Sequence, residues 1–317
     1  MQPRVTAVGT IFMDCKGFAR QSYHPAGRNL GSIQFVHGGV ARNVVENLAR
    51  LEVPVSFATS VDQSGIGQEV VTRLKEAGVG LEDLLPVAER GMGMWLAILD
   101  EHGNLAGSIS QMPELTHLRQ LVYTRGEEIV QASSHLVLEL DLSEDITRKV
   151  LELAEAYGKP VYGIPGNLDI VLRYPEFLRG LSCFVCNDVE ASKLVQADLT
   201  AMEPEQVRLH LIAFAEASGL RSMVITLGSR GSVFYDTSTR DSGFQPVFPV
   251  QVVDSSGAGD AFFSGTVTGL IRGLPLRDAV VCGTKVAGWT IESPENNCLQ
   301  LGERMRSDAF FQKFLVK

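Results

Sequence analysis

Short apolar runs alternate along the chain with stretches in which apolar residues recur every three or four positions. Most of the early runs are continuous, as expected of parallel strands that are covered on both faces. The longer stretches have the period of amphipathic helices, so we predict a βαβα chain that folds as a doubly wound, mostly parallel sheet flanked by helices. The predicted strands are VTAVG, VSFATSV, HLVLEL, PVYGI, CFVCN, MVITLG and SVFYD, and the predicted helices include 40–51, 67–77, 146–157 and 206–218.

Two segments, at about 10–36 and 90–112, depart from this alternation. They contain alternating patterns and turn signals such as DEHGN, with no helical stretch inside them. We predict that they form a small antiparallel β lid, inserted in a single α/β domain that spans 1–317. Near the end of the chain, two helices at about 258–273 and 277–291 are expected to follow each other without a strand between them.

Composition narrows the class of protein. The chain has 317 residues, 45% of them hydrophobic, which is enough for one large core. A net charge of −9 disfavours nucleic-acid and membrane-surface partners, because both reward basic patches. The polar start, the lack of a membrane-length apolar run and five scattered cysteines favour a cytoplasmic location. Cys183 and Cys186 lie three apart on a predicted strand and so face opposite sides, which favours buried thiols over a zinc or redox pair.

The stretch VVDSSGAGDAFFSG, residues 252–265, raises a question of chemistry. A turn of small residues between a strand-like run and a helix collects backbone N–H groups that attract phosphate, yet Asp260 stands within it. One interpretation is structural: the glycines permit a tight turn, and Asp260 favours the helix dipole. The second interpretation is a dinucleotide-binding motif, but Phe262 stands where its third glycine should be, and fewer strands follow than a dinucleotide-binding fold needs. The chain also lacks a G-x-x-x-x-G-K-[ST] phosphate loop.

A third interpretation uses both the amides and the carboxylate. The N–H groups of Gly257, Ala258 and Gly259 would bind the oxygens of a phosphoryl group in transfer, and Asp260 would accept the proton of the attacking hydroxyl. Phosphoryl transfer depends mainly on positioning and charge neutralisation, so a weak base suffices. We expect the helix N-terminus to keep Asp260 ionised at neutral pH.

Three motifs, in this order, resemble those of the ribokinase-like carbohydrate kinases, the PfkB family. They are GGVARNVVENLARLEVPVSFATSVDQSGIGQEV, NDVE and DSSGAGDAFFSG. The resemblance covers nearly the whole chain and implies an α/β core with a β lid. It also implies ATP as co-substrate, Mg²⁺ as cofactor and a sugar or nucleoside as acceptor.

The resemblance assigns roles to single residues. Asp260 is implied as the catalytic base, 257–259 as the anion hole, and Glu190 as the residue that holds Mg²⁺ through water. Asp14, taken to end the first strand, is implied to bind sugar hydroxyls. The other implied substrate residues are Gly38, Gly39, Asn43 and Glu139; the nucleotide residues are Asn187, Thr226, Gly228 and Gly231; Asp254 and Ser256 match a monovalent-cation site of several relatives, which suggests K⁺.

Structural alternatives stay open for these residues. Asp14 would then cap a turn, Glu190 and Asn187 would begin a helix, and Gly228 with Gly231 would shape a hairpin. One departure from the family is that PVYGIPGN lacks an acidic residue near its end, where Gly163 or Asn167 stands instead. The motif's usual Thr is Ser255.

Within the family, NLGSIQFVHGGVARNVVENLA, WLAILDEHGNLAGSISQM and ESPENN resemble pseudouridine kinases, which implies the 5′-hydroxyl of pseudouridine as acceptor. Arg42 is either a solvated helix charge or a partner of Asp14. Relatives often pair through their lids, so a homodimer is the expected assembly. The lid residues offered to a nucleobase are Phe12, Phe35, Trp95, Ser110, Gln111 and Met112, although the three aromatic side chains would equally pack the lid's own core.

Two other functions are kept as alternatives. The first is a kinase of a free sugar or sugar acid, of the ribose, fructose or keto-deoxygluconate type, for which Lys16, Arg20 and Arg28 are available cations. The second is a non-catalytic sugar-binding regulator on the same scaffold. The intact Asp260 disfavours a regulator, which has no need of the base.

Overall fold

A computed structural model describes residues 4–315 and contains two sheets built from thirteen strands within that range. The strands vary from four to eight residues in length, and the longest are two strands of the lid and one strand next to an edge of the larger sheet. They are β1 (Val5–Val8), β2 (Phe12–Ala19), β3 (Gly31–Gly38), β4 (Val55–Asp62), β5 (Leu84–Val87), β6 (Gly93–Leu99), β7 (Leu105–Gln111), β8 (His135–Glu139), β9 (Val161–Ile164), β10 (Cys183–Asn187), β11 (Ser222–Thr226), β12 (Ser232–Asp236) and β13 (Asp241–Gln245).

The larger sheet has nine strands in the order β13-β12-β11-β10-β9-β8-β1-β4-β5. Every pairing from β11 to β5 is parallel, whereas β12 pairs antiparallel with both of its neighbours. This confirms the doubly wound, mostly parallel sheet. All seven predicted strands are present; the two edge strands, β5 and β13, are the ones that the apolar pattern did not predict.

Helices cover both faces of this sheet. Successive residues of β8 divide between two cores: Leu136 and Leu138 pack on one side and Val137 on the other. Cys183 and Cys186 likewise belong to opposite cores, as their spacing on a strand predicts. The helices are α1 (Val40–Arg50), α2 (Gly65–Ala77), α3 (Thr116–Ala132), α4 (Glu144–Ala156), α5 (Asp169–Arg173), α6 (Asp188–Val195), α7 (Pro204–Ser218), α8 (Ala258–Ile271), α9 (Leu276–Ile291), α10 (Leu301–Ser307) and α11 (Ala309–Leu315).

Length and hydropathy argue against a membrane span in these helices. Between residues 4 and 315, no helix is at once long enough and apolar enough to cross a bilayer. The two helices α8 and α9 follow each other directly, as predicted, and pack against one another.

The smaller sheet is the lid, with the strand order β3-β2-β6-β7. Its strands come from the two segments that interrupt the alternation, and each segment forms an antiparallel hairpin, as predicted. The hairpins join through β2 and β6, which run parallel, so the sheet is mixed at its centre.

The register of the lid decides which residues share a face. Asp14 is opposite Val36 on one side and Trp95 on the other, and Trp95 is opposite Ser110. Because directly paired residues point the same way, these four side chains form one row on one face. The next row, on the other face, consists of Phe35, Cys15, Leu96 and Ile109.

Candidate active site

The turn before α8 has the geometry of an anion-binding site. Gly257 caps the helix with φ of 74°, and a Cβ there would lie 2.1 Å from the backbone oxygen of Asn296, so only glycine fits. The first helical hydrogen bond runs from Ala261 N–H to the Gly257 oxygen (2.9 Å). The N–H groups of Gly257 and Gly259 precede it and are available to an anion, while that of Ala258 donates to the Ser255 oxygen at 3.3 Å.

Asp260 lies in the first turn of α8 and is held by a residue of α1. The Asn43 side-chain Nδ2 donates to Asp260 Oδ2 at 2.6 Å. Burial raises the pKa of Asp260 to about 7, with Asn43 and Arg42 lowering it and Glu190 and Asp14 raising it. Desolvation thus opposes the expected ionisation at neutral pH and outweighs the effect of the helix terminus.

Asp14 reaches the same site from the lid. The sequence analysis took it to end the first strand, but it lies inside β2. A Cβ at Gly38 would come 2.7 Å from Asp14 Oδ1, and one at Gly39, where φ is 95°, would come 2.8 Å from the backbone nitrogen of Phe12. The glycine pair therefore makes room for the carboxylate and for the base of the lid. Burial raises the pKa of Asp14, and Lys16 opposes that change.

Arg42 is neither solvated nor paired with Asp14, so both expectations for it are wrong. Its guanidinium is 1% exposed and forms an ion pair with Glu46 at 2.6 Å. Sequence reasoning missed this because the ion pair sits on the buried face of α1, where a charged side chain is rarely expected.

Asn187 and Glu190 form a capping box at the start of α6. Asn187 Oδ1 accepts from Glu190 N–H, and Glu190 Oε2 accepts from Asn187 N–H, both at 2.8 Å. The structural interpretation of the pair is thus correct. It leaves the second carboxylate oxygen of Glu190 outside the box, and Glu190 is close enough to raise the pKa of Asp260.

Metal ligands are sparse around this carboxylate. Within the described part of the chain, no three His, Cys, Asp or Glu side chains converge on one point. A single half-buried carboxylate beside an anion-binding turn fits Mg²⁺, which keeps most of its waters and takes its other ligands from phosphate. It does not fit a metal that needs several protein ligands.

A cavity of about 430 Å³ opens beside the turn and is lined in part by Thr226, Gly228 and Gly231, which were predicted to bind the nucleotide. Sequence reasoning missed the rest of its wall. The available signal was the run 247–252, whose apolar side chains fit no predicted strand or helix. The other lining residues are Ser229, Val247, Phe248, Val250, Val252, Ser255, Ala258, Gly259, Phe262, Thr284, Ala287, Gly288 and Ile291.

Glu139, predicted to face the substrate, lies in the interior at 2% exposure. Its carboxyl accepts from the backbone N–H (2.7 Å) and the hydroxyl (3.0 Å) of Thr10, and burial raises its pKa to about 8. It fixes the connection between β1 and the lid. Asp141, two residues later, is half-buried and accepts from Asn167 Nδ2.

The remaining predicted site residues belong to the segment before the anion turn and to the lid, and only some of the lid residues face the site. Asp254 Oδ1 accepts from Ser256 N–H at 2.8 Å, so this pair lies together just before the anion turn. In the lid, Trp95 and Ser110 share the face of Asp14, but Phe35 and Gln111 point to the opposite face. Alternate residues of a strand point to opposite faces, and the sequence alone did not show which set of residues faces the site.

Comparison with known proteins now decides the family. Residues 2–299 match the pfkB family carbohydrate kinase. The chain belongs to the pfkB family. It is 32% identical over 293 residues to the guanosine-inosine kinase of Exiguobacterium acetylicum, covering 92% of this chain and 96% of the relative. It is 25% identical over 276 residues to the pseudouridine kinase of Escherichia coli (strain K12), covering 87% and 86%.

A solved structure of the same fold is the Arabidopsis thaliana ribokinase complexed with ribose and ATP. It matches with a TM-score of 0.81 and 19% identity over 100% of both chains. As a pfkB-family protein, this chain is a sugar or nucleoside kinase, a phosphotransferase that acts on an alcohol group. Family membership excludes the dinucleotide-binding alternative for the 257–260 turn.

Proposed function

We propose that this pfkB-family kinase transfers the γ-phosphoryl group of ATP to the 5′-hydroxyl of a nucleoside. One observation carries the proposal: Asp260 and the amides of the anion turn lie where the 430 Å³ cavity meets the lid face that bears Asp14. The mostly apolar cavity suits the adenine of ATP. The lid face offers a carboxylate and an indole, which suit a ribose and its base.

The chain's residues supply positioning and one proton acceptor. Asp260 accepts the proton of the 5′-hydroxyl as its oxygen attacks the γ-phosphorus, the bond from that phosphorus to the bridging oxygen breaks, and ADP leaves. The N–H groups at 257 and 259 bind the phosphoryl oxygens. Glu190 would hold Mg²⁺ through water, and the ion would neutralise phosphate charge. Asp254 and Ser256 stay a proposed site for K⁺, next to the same turn.

The lid supports a nucleoside over a free sugar. Trp95 is directly beside Asp14, so a ribose held by the carboxylate places its base near the indole. The sequence predicts pseudouridine. The more similar guanosine-inosine kinase favours a purine nucleoside, and we therefore place guanosine and inosine first and pseudouridine second.

An acceptor panel tests this proposal. Purified protein with ATP and Mg²⁺ is assayed for ADP release with guanosine, inosine, pseudouridine, ribose, fructose and keto-deoxygluconate. We expect strong stimulation by a nucleoside and formation of its 5′-monophosphate. The 5′-deoxy form of the best nucleoside is the control and should give no product. Faster turnover with a free sugar or sugar acid would overturn the nucleoside assignment.

We also propose that two copies pair through the outer face of the lid. This face carries Ile33 and Ile109 at 69% exposure each and Phe35 at 62%. Met94 and Leu96 continue the same apolar surface. A second copy presents the same apolar face, and pairing of the two faces would remove these side chains from water.

A further inference from the structure

Arg42 uses every nitrogen of its guanidinium although it is fully buried. Nε donates to the Gly38 oxygen at 3.2 Å and Nη1 to Glu46 Oε2 at 2.6 Å. Nη2 donates both to the His37 oxygen and to Asn43 Oδ1. The guanidinium therefore connects the end of lid strand β3 with helix α1.

The contact with Asn43 sets the direction of a catalytic hydrogen bond. A guanidinium has donors only, so the Asn43 amide must turn its oxygen toward Arg42. Its NH₂ group then points to Asp260 Oδ2, 2.6 Å away. The opposite amide orientation would bring its oxygen against the carboxylate and its NH₂ against the guanidinium, and both contacts are repulsive.

The buried charge of Arg42 is balanced without Asp260. Glu46 is 0% exposed and binds three guanidinium groups: Arg42 at 2.6 Å, Arg50 at 2.9 Å and Arg73 at 3.1 Å. Arg73 extends the network to Glu295 at 2.7 Å. Loss of Arg42 thus leaves Glu46 with two cations, which keeps its carboxylate paired.

We propose that Arg42 is a positioning residue: it fixes the Asn43 amide so that the NH₂ group faces Asp260, and it ties this pair to the base of the lid. The inference rests on the proposed phosphoryl transfer at Asp260. Arg42 is buried beneath the site and acts through Asn43.

A pH profile separates this role from a purely structural one. Asp260 faces Arg42 and Asn43 from α1, Glu190 from α6, Asp14 from the lid and Glu139 from the end of β8. If Arg42 no longer orients the amide, the ionised carboxylate loses a charge-assisted hydrogen bond. In the plot of kcat against pH, we expect the acid limb to move up by about one pH unit, which lowers kcat at pH 6 about tenfold.

Arg42→Lys is the main variant because it keeps the charge but lacks the planar fork that spans two acceptors. Arg50→Lys is the matched control, since Arg50 also binds Glu46 from α1 but has no contact with Asn43. We expect the shifted limb and an unchanged KM for ATP in Arg42→Lys, and the wild-type profile in Arg50→Lys. In an Asn43→Ala background, Arg42→Lys should cause no further shift.

Three results would overturn the role: an unmoved limb in Arg42→Lys, equal shifts in both lysine variants, or a further shift in the Asn43→Ala background. If Arg42→Lys does not fold, the pair Arg42→Met/Glu46→Gln removes both charges and is measured instead; an unfolded pair makes Arg42 structural and also refutes the proposal. A wild-type protein without acceptor-stimulated turnover would refute the proposed function itself, which is a different outcome.

Discussion

At the scale of residues, Asp260 combines two properties that oppose each other. The proposed phosphoryl transfer needs its carboxylate, but the site around it is desolvated, and burial raises its pKa from 3.8 to about 7. A group that binds its proton more tightly in the folded state favours folding at low pH. That contribution is present below about pH 4 and is lost as the pH rises through about 7.

Asp260→Asn should therefore lower the activity and raise the stability of the fold. We expect kcat to fall about 10²–10⁴-fold, because the proton acceptor is lost. The cavity proposed for the nucleotide is not lined by this side chain, so titration with ATP should give an unchanged affinity. The Tm should rise by a few degrees at pH 8 and by less at pH 5, since the amide carries no buried charge. Loss of ATP binding together with folding would instead make Asp260 a structural residue.

At the scale of elements, the start of α6 serves both the helix and the site. The capping box of Asn187 and Glu190 satisfies two backbone N–H groups that the helix leaves free. It also fixes the position of Glu190 just after β10, near enough to Asp260 to raise its pKa. The side chain thus has a local role that the sequence pattern shows, and its proposed role toward Mg²⁺ depends on packing.

Glu190→Gln separates these two roles. Glutamine preserves the capping box, so the unfolding temperature should stay close to that of the wild type. The charge toward Mg²⁺ is lost, and we expect the Mg²⁺ concentration for half-maximal rate to rise about tenfold. Asp188→Asn is the control, because Asp188 lies in the same first turn but pairs with Arg230 at 2.8 Å. Identical Mg²⁺ dependence in wild type and Glu190→Gln would remove the metal role.

At the scale of the whole molecule, the lid has two faces with different chemistry. The inner face carries Asp14 and Trp95 toward the core, and the outer face exposes an apolar row that includes Phe35 and Ile109. A monomer would leave this outer surface in water, whereas a pair of lids would bury it.

Ile109→Asp tests the pairing of lids. We expect the wild type to sediment as a dimer at micromolar concentration and the variant as a monomer, because burying the aspartate would cost more than the face contributes. Leu209→Asp is the control: Leu209 is 56% exposed on α7, far from the lid in the chain, and its variant should remain dimeric. A wild-type monomer, or a dimeric Ile109→Asp variant, would contradict the proposal.

The sequence by itself determined what depends on neighbours along the chain. Continuous apolar runs predicted the parallel strands, and turn signals predicted the two lid hairpins. Anion binding at the small-residue turn with Asp260 stays a prediction. Edge strands β5 and β13 were not predicted, because Pro86 interrupts the first and the second, DSGFQ, is mostly polar.

Tertiary structure alone decided what depends on residues far apart in the chain. Asn43 and Asp260 are 217 positions apart, yet one hydrogen bond joins them. The buried pairing of Arg42, the interior position of Glu139, the outward direction of Phe35 and the raised pKa of Asp260 have the same origin. Desolvation and contact are properties of the packed surroundings, and no local pattern of residue types encodes them.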